Sequence, residues 1–367
     1  MSGGARRRDR AFDRLLGGAF AVLERGLVPT PLVRAGIRAV CARRLRDEAA
    51  GGVEAEAARR AALMEVLATA PIATATPAAN RQHYEVPTSF YQLVLGPRRK
   101  YSSAYWPPGV DDLGAAEEAM LELTARRARL GPDQDILDLG CGWGALTLWA
   151  AARWPTSRIT ALSSSRTQRA FIEATARARG LTNITIVTGD VSEVAPTGTF
   201  DRVVSVEMFE HLRNHAAVLA RVASWMRPDA SLFVHVFAHR RFTYLYEDQG
   251  PSDWMAREFF TGGIMPSIEL LPGFQDHVRV RERWVLDGRH YARTARAWYD
   301  NLMARQDEVR ACLAVDLGAA AAGRQLHRWR VFFLACEELF GYRDGQEWVV
   351  AHYRFDRRDA DRRPDPR

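Results

Sequence analysis

Lysine is almost absent from this chain. Of its 51 basic residues all but Lys100 are arginine, and its four cysteines stand far apart. Scattered cysteines exclude a disulfide framework and a cysteine-based metal cluster, so we predict no metal site. No apolar run is long enough to span a membrane, and no secretory signal follows the basic start. We therefore expect a cytoplasmic protein with reduced thiols that meets a membrane only at its surface.

The excess of positive over negative charge is also small, because 51 basic and 44 acidic residues give a formal net charge of +7. So small an excess is typical of a solvated surface, and we predict no nucleic-acid partner. The chain has 367 residues and is 47% hydrophobic. It is therefore long enough to bury a full core, as one large domain with helical additions.

The order of apolar patterns predicts four regions. Residues 1–76 form a helical region that ends in a linker rich in threonine and proline, and residues 77–130 form an aromatic-rich cover. Strands then alternate with helices over 131–356, and the polar tail at 357–367 is predicted to be disordered. The predicted strands are 136–139, 158–162, 184–188, 201–206, 231–237, 278–286 and 347–353. Helices are predicted at 115–129, 291–309 and 325–340. Such alternation predicts an α/β doubly wound sheet with right-handed crossovers.

The first strand ends in a glycine-rich turn at 138–144, with the sequence DLGCGWG. Ligands bind beyond the carboxyl ends of strands in such sheets, and glycines let the backbone approach them. The spacing is G-x-G-x-G, whereas a dinucleotide site has G-x-G-x-x-G and an acid after the second strand. Here Ser163 and two further serines follow that strand, with Gln168 close behind. Their hydroxyls and amide are predicted to replace the acid. Asp190 ends the third strand, where it either accepts from an adenine amine or caps a turn.

Several runs together resemble the cyclopropane fatty acid synthase family: KYSSAYW at 100–106, LDLGCGWG at 137–144 and EMFEH at 207–211. The runs FVH at 233–235, FFTGGIMPS at 259–267, FQD at 274–276 and GRHYA at 288–292 look like its coclaurine N-methyltransferase branch. The resemblance implies a Rossmann-like class I methyltransferase fold. Its features are a seven-stranded, mostly parallel sheet with helices on both faces, an amino-terminal helical region and a helical substrate cap inserted at about 239–275.

The resemblance also implies S-adenosylmethionine as the cofactor, with S-adenosylhomocysteine as its product. The residues that would line the cofactor are Tyr101, Ser102, Asp138, Gly140, Gly142, Ser163, Gln168, Asp190, Val191 and Val206. The lipid-modifying members hold a bicarbonate ion as base. The matching positions here are Ser103, Glu210, His235, Tyr291 and the backbone of Phe237, with Ser103 in place of the family's cysteine. Because serine still hydrogen-bonds an anion, bicarbonate stays an open expectation.

The acidic run after the fourth strand supplies the predicted catalytic residues Glu207, Glu210 and His211. If the chain turns helical from Met208, these side chains lie on adjoining faces and form an acid–base pair. The alternative is a carboxylate pair favoured by a helix dipole, with the histidine packed beneath.

Methyl transfer needs a nucleophile aligned behind the methyl carbon, so positioning dominates catalysis. The leading hypothesis is N-methylation of a small, cyclic or aromatic amine. The first alternative is methylation or cyclopropanation of unsaturated acyl chains at a membrane surface. A nicotinamide-dependent dehydrogenase and a non-catalytic cofactor-binding protein are weaker alternatives. The predicted partners are thus a small-molecule amine or lipid acceptor and a second copy of the chain in a homodimer.

Overall fold

The computed structural model describes residues 22–73, 86–248, 250 and 253–358. The predicted cover residues before 86, the end of the predicted linker and most of the predicted tail lie outside the described residues. Arg357, which was assigned to that tail, is instead the last residue of a strand.

A seven-stranded sheet forms the centre of the fold, as predicted. Its strands are β1 (Asp135–Leu139), β2 (Arg158–Ser163), β3 (Ile184–Thr188), β4 (Phe200–Val206), β5 (Met226–His239), β8 (Val278–Leu286) and β9 (Trp348–Arg357). Their order in the sheet is β3-β2-β1-β4-β5-β9-β8, in which the first five strands are parallel and the last two are antiparallel to their neighbours. The short strands β6 (Tyr244–Leu245) and β7 (Ile264–Met265) pair separately. Strand order reverses between β1 and β4, so a ligand crevice is expected there.

Helices cover both faces of this sheet. They are α1 (Thr30–Glu48), α2 (Gly52–Thr69), α3 (Thr88–Val94), α4 (Leu113–Ala128), α5 (Ala145–Arg153), α6 (Arg166–Ala178), α7 (His215–Trp225), α8 (Trp254–Glu258), α9 (Arg289–Ala304), α10 (Gln306–Leu317) and α11 (Ala319–Gly341). All five residues of β1 are buried, which is why its sequence is continuously apolar apart from two aspartates. Such strands are typical of a parallel sheet that is covered on both faces.

The amino-terminal helices pack onto the carboxyl-terminal half of the chain. Arg34 and Arg38 of α1 both pair with Glu338, a buried carboxylate of α11. Asn214, just before α7, donates to the carbonyls of Ala68 and Ala70 at the end of α2. These contacts bring α1 to one wall of the region that lies above the sheet.

The predicted helix at 291–309 is wrong as a single helix. Arg305 leaves the helical conformation, with φ −121° and ψ 26°, and separates α9 from α10, which continues to Leu317. The break lies at neither glycine nor proline, so no local signal announces it. The side chain of Arg305 hydrogen-bonds to Glu308 in the first turn of α10. Leu302 and Val309, which lie on either side of the break, are buried.

A helix from Met208 is also wrong. The chain makes a single 3-10 turn at Phe209–His211, and Leu212 is already extended, with φ −106° and ψ 152°. Arg213 then donates its backbone N–H to the carbonyl of Ile72, so the chain leaves the turn towards the amino-terminal region. The side chains of this turn therefore point in different directions rather than along one helix face.

Within the described residues, no helix has the length and apolar character needed to cross a membrane.

Candidate active site

The glycine-rich turn joins β1 to α5 at the reversal of strand order. Gly140 and Gly144 have φ of +81° and +77°, which side-chain-bearing residues rarely adopt. The amides of Gly140 and Cys141 both donate to the carbonyl of Leu162 on β2. Asp138 accepts from Thr147 Oγ1 over 2.6 Å, and this bond ties the strand to the first turns of α5. Burial raises the pKa of Asp138 to about 6.

A cleft lies against this turn, and seven of the ten residues predicted to line the cofactor border it. They are Tyr101, Ser102, Asp138, Gly140, Gly142, Gln168 and Val206. The other three do not border it. Ser163 acts through a neighbour, because its Oγ donates to Gln168 Oε1 over 2.7 Å. Asp190 bonds the amide and hydroxyl of Ser192, and Val191 packs into the core. All ten assignments stay predictions about a bound cofactor.

Two buried donors in this cleft have no partner in the described part of the chain: Gln168 Nε2 and Trp143 Nε1. A buried donor without an acceptor is costly, which indicates that a ligand supplies the acceptor. The carboxylate and ribose oxygens of S-adenosylmethionine meet this requirement, so the cleft fits the predicted cofactor. Sequence analysis missed Trp143, although it stands inside the glycine-rich run.

Lys100 also borders the cleft and was missed, although it is the chain's one lysine. Its Nζ donates to Ser102 Oγ and to the carbonyl of Ser103, each over 2.6 Å. Burial lowers the pKa of Lys100 to about 8, while the nearby carboxylates Glu117 and Glu207 oppose that shift. A partly charged amine therefore lies under the cofactor cleft.

A second cavity, of about 110 Å³, opens on the other side of Glu207. Its walls are mostly aromatic, and it shares Tyr101 and Glu207 with the cofactor cleft. The residues around it include His211, Phe237, Tyr246, Phe260, Tyr291, Trp298, Phe332 and Phe340. A molecule in this cavity would meet the cofactor beside Glu207, so we call it the acceptor cavity.

A larger apolar cavity, of about 270 Å³, adjoins the acceptor cavity. The two share Tyr246, Met255 and Leu339. Residues of α1, among them Val33 and Ile37, form its outer wall. An apolar arm of an acceptor would therefore find room beyond the aromatic walls.

Glu207 is held by three donors at the end of β4. Its Oε1 accepts from the Ser103 amide over 2.9 Å and from His235 Nε2 over 3.1 Å, and its Oε2 accepts from the Tyr291 hydroxyl over 2.7 Å. The backbone has φ +48°, a strained value for a residue with a side chain. Burial raises the pKa of Glu207, whereas Lys100 and the donors Ser103 and Tyr291 favour its charged form.

Glu210 has a different environment, although it lies only three residues away. One oxygen accepts from the Phe237 amide over 2.7 Å, and the other is buried without a partner in the described chain. Burial and the charge of Glu207 both raise the pKa of Glu210 well above its ordinary value. Environments of this kind separate two carboxyl groups into one that is charged and one that is protonated. We assign the charge to Glu207.

The structure brings two of the three predicted catalytic residues to the acceptor cavity. Glu207 and His211 line it, whereas Glu210 lies behind its wall. The ring of His211 packs against Phe260, with 4.7 Å between the ring centres. Their catalytic roles stay predictions, and Glu207 and His211 both face the cavity where those roles would be carried out.

The positions predicted to hold bicarbonate do not fit that ion. The Ser103 amide, His235 and Tyr291 all bind Glu207, and the Phe237 amide binds Glu210. The Ser103 hydroxyl faces the carbonyl of its own neighbour, Ala104. The N–H and O–H donors at these positions already have acceptors, which leaves only the unpartnered oxygen of Glu210. With the charge assigned to Glu207, a second anion beside it would have few partners and would be repelled. Among the described residues no group of three side chains could hold a metal ion either.

Comparisons with known proteins agree with the family that the sequence resembles. The family model of mycolic acid cyclopropane synthetase matches residues 73–349. The chain is 36% identical to an (S)-coclaurine N-methyltransferase of Thalictrum flavum subsp. glaucum over 91% of this chain and 93% of that protein. It is 28% identical to a cyclopropane-fatty-acyl-phospholipid synthase of Escherichia coli (strain K12) over 75% of this chain and 67% of that protein.

The fold also matches a solved structure, that of a coclaurine N-methyltransferase bound to N-methylheliamine and S-adenosylhomocysteine. The TM-score is 0.89 at 34% identity, and the match covers 92% of this chain and 99% of the other. The Rossmann-like class I fold predicted above is thereby confirmed.

Proposed function

We propose an acceptor on the premise that this chain belongs to the mycolic acid cyclopropane synthetase family and is an S-adenosylmethionine-dependent methyltransferase. The acceptor is a small cyclic or aromatic amine, methylated on its nitrogen. The observation that carries this proposal is the position of Glu207, an anchored carboxylate that faces both the cofactor cleft and the acceptor cavity. The N-methyltransferase relatives support the same chemistry.

When bound, the cofactor supplies a methyl group on a sulfonium that leaves as a thioether. The chain's own residues prepare the amine for attack. An amine enters largely protonated at neutral pH, so it must lose a proton before its lone pair can attack the methyl carbon. The carboxylate of Glu207 attracts and orients the ammonium, and His211 on the same wall takes its proton.

The aromatic walls complete the arrangement. Tyr246, Phe237 and Phe260 lie against one another, with ring centres 4.9 Å and 5.5 Å from that of Phe260. Aromatic faces attract a cation and pack against a ring, and they keep water away from the sulfonium. A cavity of this kind selects an amine that carries an apolar or aromatic frame.

A second candidate keeps the fold and changes the acceptor to an unsaturated acyl chain. The larger apolar cavity beside the acceptor cavity favours it. Against it stand the N–H and O–H donors that already bond to Glu207 and Glu210, because they leave few partners for the bicarbonate base of the lipid enzymes.

The two acceptors can be separated in one assay with methyl-labelled S-adenosylmethionine. Purified protein is given a panel of primary, secondary and tertiary cyclic amines, and in parallel vesicles of unsaturated phospholipid. We expect label in the secondary ring amines and none in lipid. Label confined to lipid would refute N-methylation, and added bicarbonate should not change the rate with amines.

Homodimer formation and contact with a membrane surface stay proposals that the same preparation can test. Light scattering after gel filtration gives the mass of the particle, for comparison with the 41.2 kDa chain. Sedimentation with anionic vesicles measures membrane binding.

A further inference from the structure

A continuous line of hydrogen bonds leads from Glu207 through the sheet to α4. His235 Nε2 lies 3.1 Å from Glu207 Oε1, and its Nδ1 lies 3.0 Å from His352 Nε2. His352 Nδ1 in turn lies 2.7 Å from Arg127 Nη1. The two histidines face each other on the neighbouring strands β5 and β9, and both are fully buried. His352 and Arg127 border neither cavity.

The direction of this line follows from the chemistry of its far end. A guanidinium group has donors and no acceptor, so His352 Nδ1 must accept from Arg127. A neutral imidazole that accepts at Nδ1 carries its hydrogen on Nε2, and His352 therefore donates to His235 Nδ1. His235 then carries its own hydrogen on Nε2 and donates to Glu207. Burial keeps the pKa of both histidines well below the ordinary value, in accord with neutral rings.

We propose that Arg127 and His352 are positioning residues of the methyl-transfer site, which fix the tautomer of His235 so that it always donates to Glu207. The proposal rests on the function given above, since it concerns the carboxylate that orients the amine. A group that bonds to one ring nitrogen of a histidine fixes the tautomer of that ring. It thereby decides whether the other nitrogen donates or accepts a hydrogen bond.

Without Arg127 the line can reverse. His352 can then carry its hydrogen on Nδ1 and accept at Nε2 from Nδ1 of His235. In that case the lone pair of His235 Nε2 faces Glu207 Oε1. That arrangement requires a proton on the carboxyl group. Loss of one donor to a charged group costs about 1.5 kcal/mol, which corresponds to about one pH unit.

Other charged and titratable groups also act on Glu207 and have to stay unchanged in a test. They come from the segment before α4, the 3-10 turn, α9 and α11, and are Lys100, Tyr101, Glu210, His211, Tyr291 and Cys336. None of these six groups contacts Arg127. A substitution at Arg127 therefore leaves the contacts of these groups intact.

The first experiment compares Arg127→Met, Arg127→Lys and the control Arg126→Met, which removes the same charge from the exposed neighbour on α4. We expect the acidic limb of the kcat/KM profile to move about one pH unit upward in Arg127→Met. Arg127→Lys should restore it, because lysine also only donates, and Arg126→Met should leave it in place. A uniform loss at all pH values in Arg127→Met, with an unmoved limb, overturns the proposal in favour of a purely structural role.

The second experiment needs no turnover and so separates this proposal from the proposed function. Histidine-selective nitrogen-15 labelling of the nine histidines reports which ring nitrogen carries hydrogen. We expect His235 and His352 both to be Nε2-protonated in the wild-type protein. Hydrogen on Nδ1 of either ring overturns the proposal, even if Arg127→Met fails to fold. The expected tautomers in a protein that methylates no amine would support the line of hydrogen bonds and refute the amine function.

Discussion

The two sides of Glu207 are built in different ways. The cofactor cleft takes most of its walls from two short continuous stretches, the turn between β1 and α5 and the segment at 99–102, with Gln168 and a few others added from elsewhere. The acceptor cavity takes its walls from the 3-10 turn, β5, the segment around Phe260, α9 and α11. A local turn can bind a common cofactor in many proteins, whereas a wall assembled from distant segments can change one residue at a time.

The variant with the largest expected effect is Glu207→Gln, which keeps the shape of the side chain and removes its charge. We expect kcat to fall by about 10²- to 10⁴-fold, because the amine loses the group that orients it. Binding of S-adenosylhomocysteine, measured by calorimetry, should stay within a few-fold of wild type. Glu193→Gln, at an exposed surface position, is the matched control. An equal loss of cofactor affinity would show that the two sides are not separable at this residue.

Acid should weaken the acceptor side first. His215 lies beneath the 3-10 turn, where its Nε2 is 3.1 Å from the Phe209 carbonyl, and burial lowers its pKa to about 4. The unfolded chain takes up this proton below about pH 6.5, so stability falls as pH drops from there towards 4. Between pH 6.5 and 5 the loss reaches about 2 kcal/mol.

Asp138, on the cofactor side, changes the folding stability in the opposite direction as the pH falls. Its pKa is raised to about 6, so the folded form gains the proton first and is favoured as pH falls through 6. Hydrogen exchange at pH 7 and 5 should therefore show lost protection around residues 207–216 before residues 135–145. His215→Gln keeps a donor for Phe209 and cannot be protonated, so it should reduce the difference. Equal loss on both sides would contradict this prediction.

Gly140→Ala should damage the cofactor side, where the glycine borders the cleft. A Cβ there would lie 2.8 Å from Met208 Cγ, and the left-handed φ adds a cost of about 1 kcal/mol. We expect cofactor affinity to fall about 10-fold, with a lower Tm. Gly180→Ala carries a similar φ of +67° with open space around it. This control has the backbone cost without the clash, so it should lower Tm less and leave cofactor affinity unchanged.

The smallest effect is expected at Ser163, which reaches the cofactor through Gln168. Gln168→Leu removes an unpartnered donor and should weaken cofactor binding about 10-fold, whereas Ser163→Ala should weaken it only a few-fold. The double variant should be no worse than Gln168→Leu, because Ser163 has nothing left to position. Additive losses in calorimetry would mean that Ser163 binds the cofactor itself.

The same division explains what could be predicted from the sequence. The strands of the parallel part of the sheet were found because such a strand is a short apolar run, and β8 and β9 were found from their apolar and aromatic residues. The glycine turn was found because three glycines fall within five residues. The break at Arg305 was missed because its cause is tertiary packing rather than glycine or proline. The 3-10 turn was taken for a helix because the EMFEH run does not show that Leu212 is extended.

The binding partners of Glu207 were also out of reach from the sequence. Ser103, His235 and Tyr291 are separated by more than 50 residues from one another, and their meeting on one carboxylate depends on the sheet order. The resemblance placed all three in one pocket and assigned them to an external anion. In the structure the Ser103 amide, His235 and Tyr291 instead bond to the carboxyl group of Glu207.

The burial of Lys100 makes this chain convenient for chemical labelling. The side chain is 4% exposed and lies under the cofactor cleft, and no other lysine exists to compete for an amine-directed reagent apart from the α-amino group. Burial lowers the pKa of this amine to about 8, so in mildly alkaline solution more of it is neutral than of an exposed lysine. The rate of acylation at this position, followed by peptide mass spectrometry that separates it from the α-amino group, therefore measures how readily a reagent reaches the cofactor cleft.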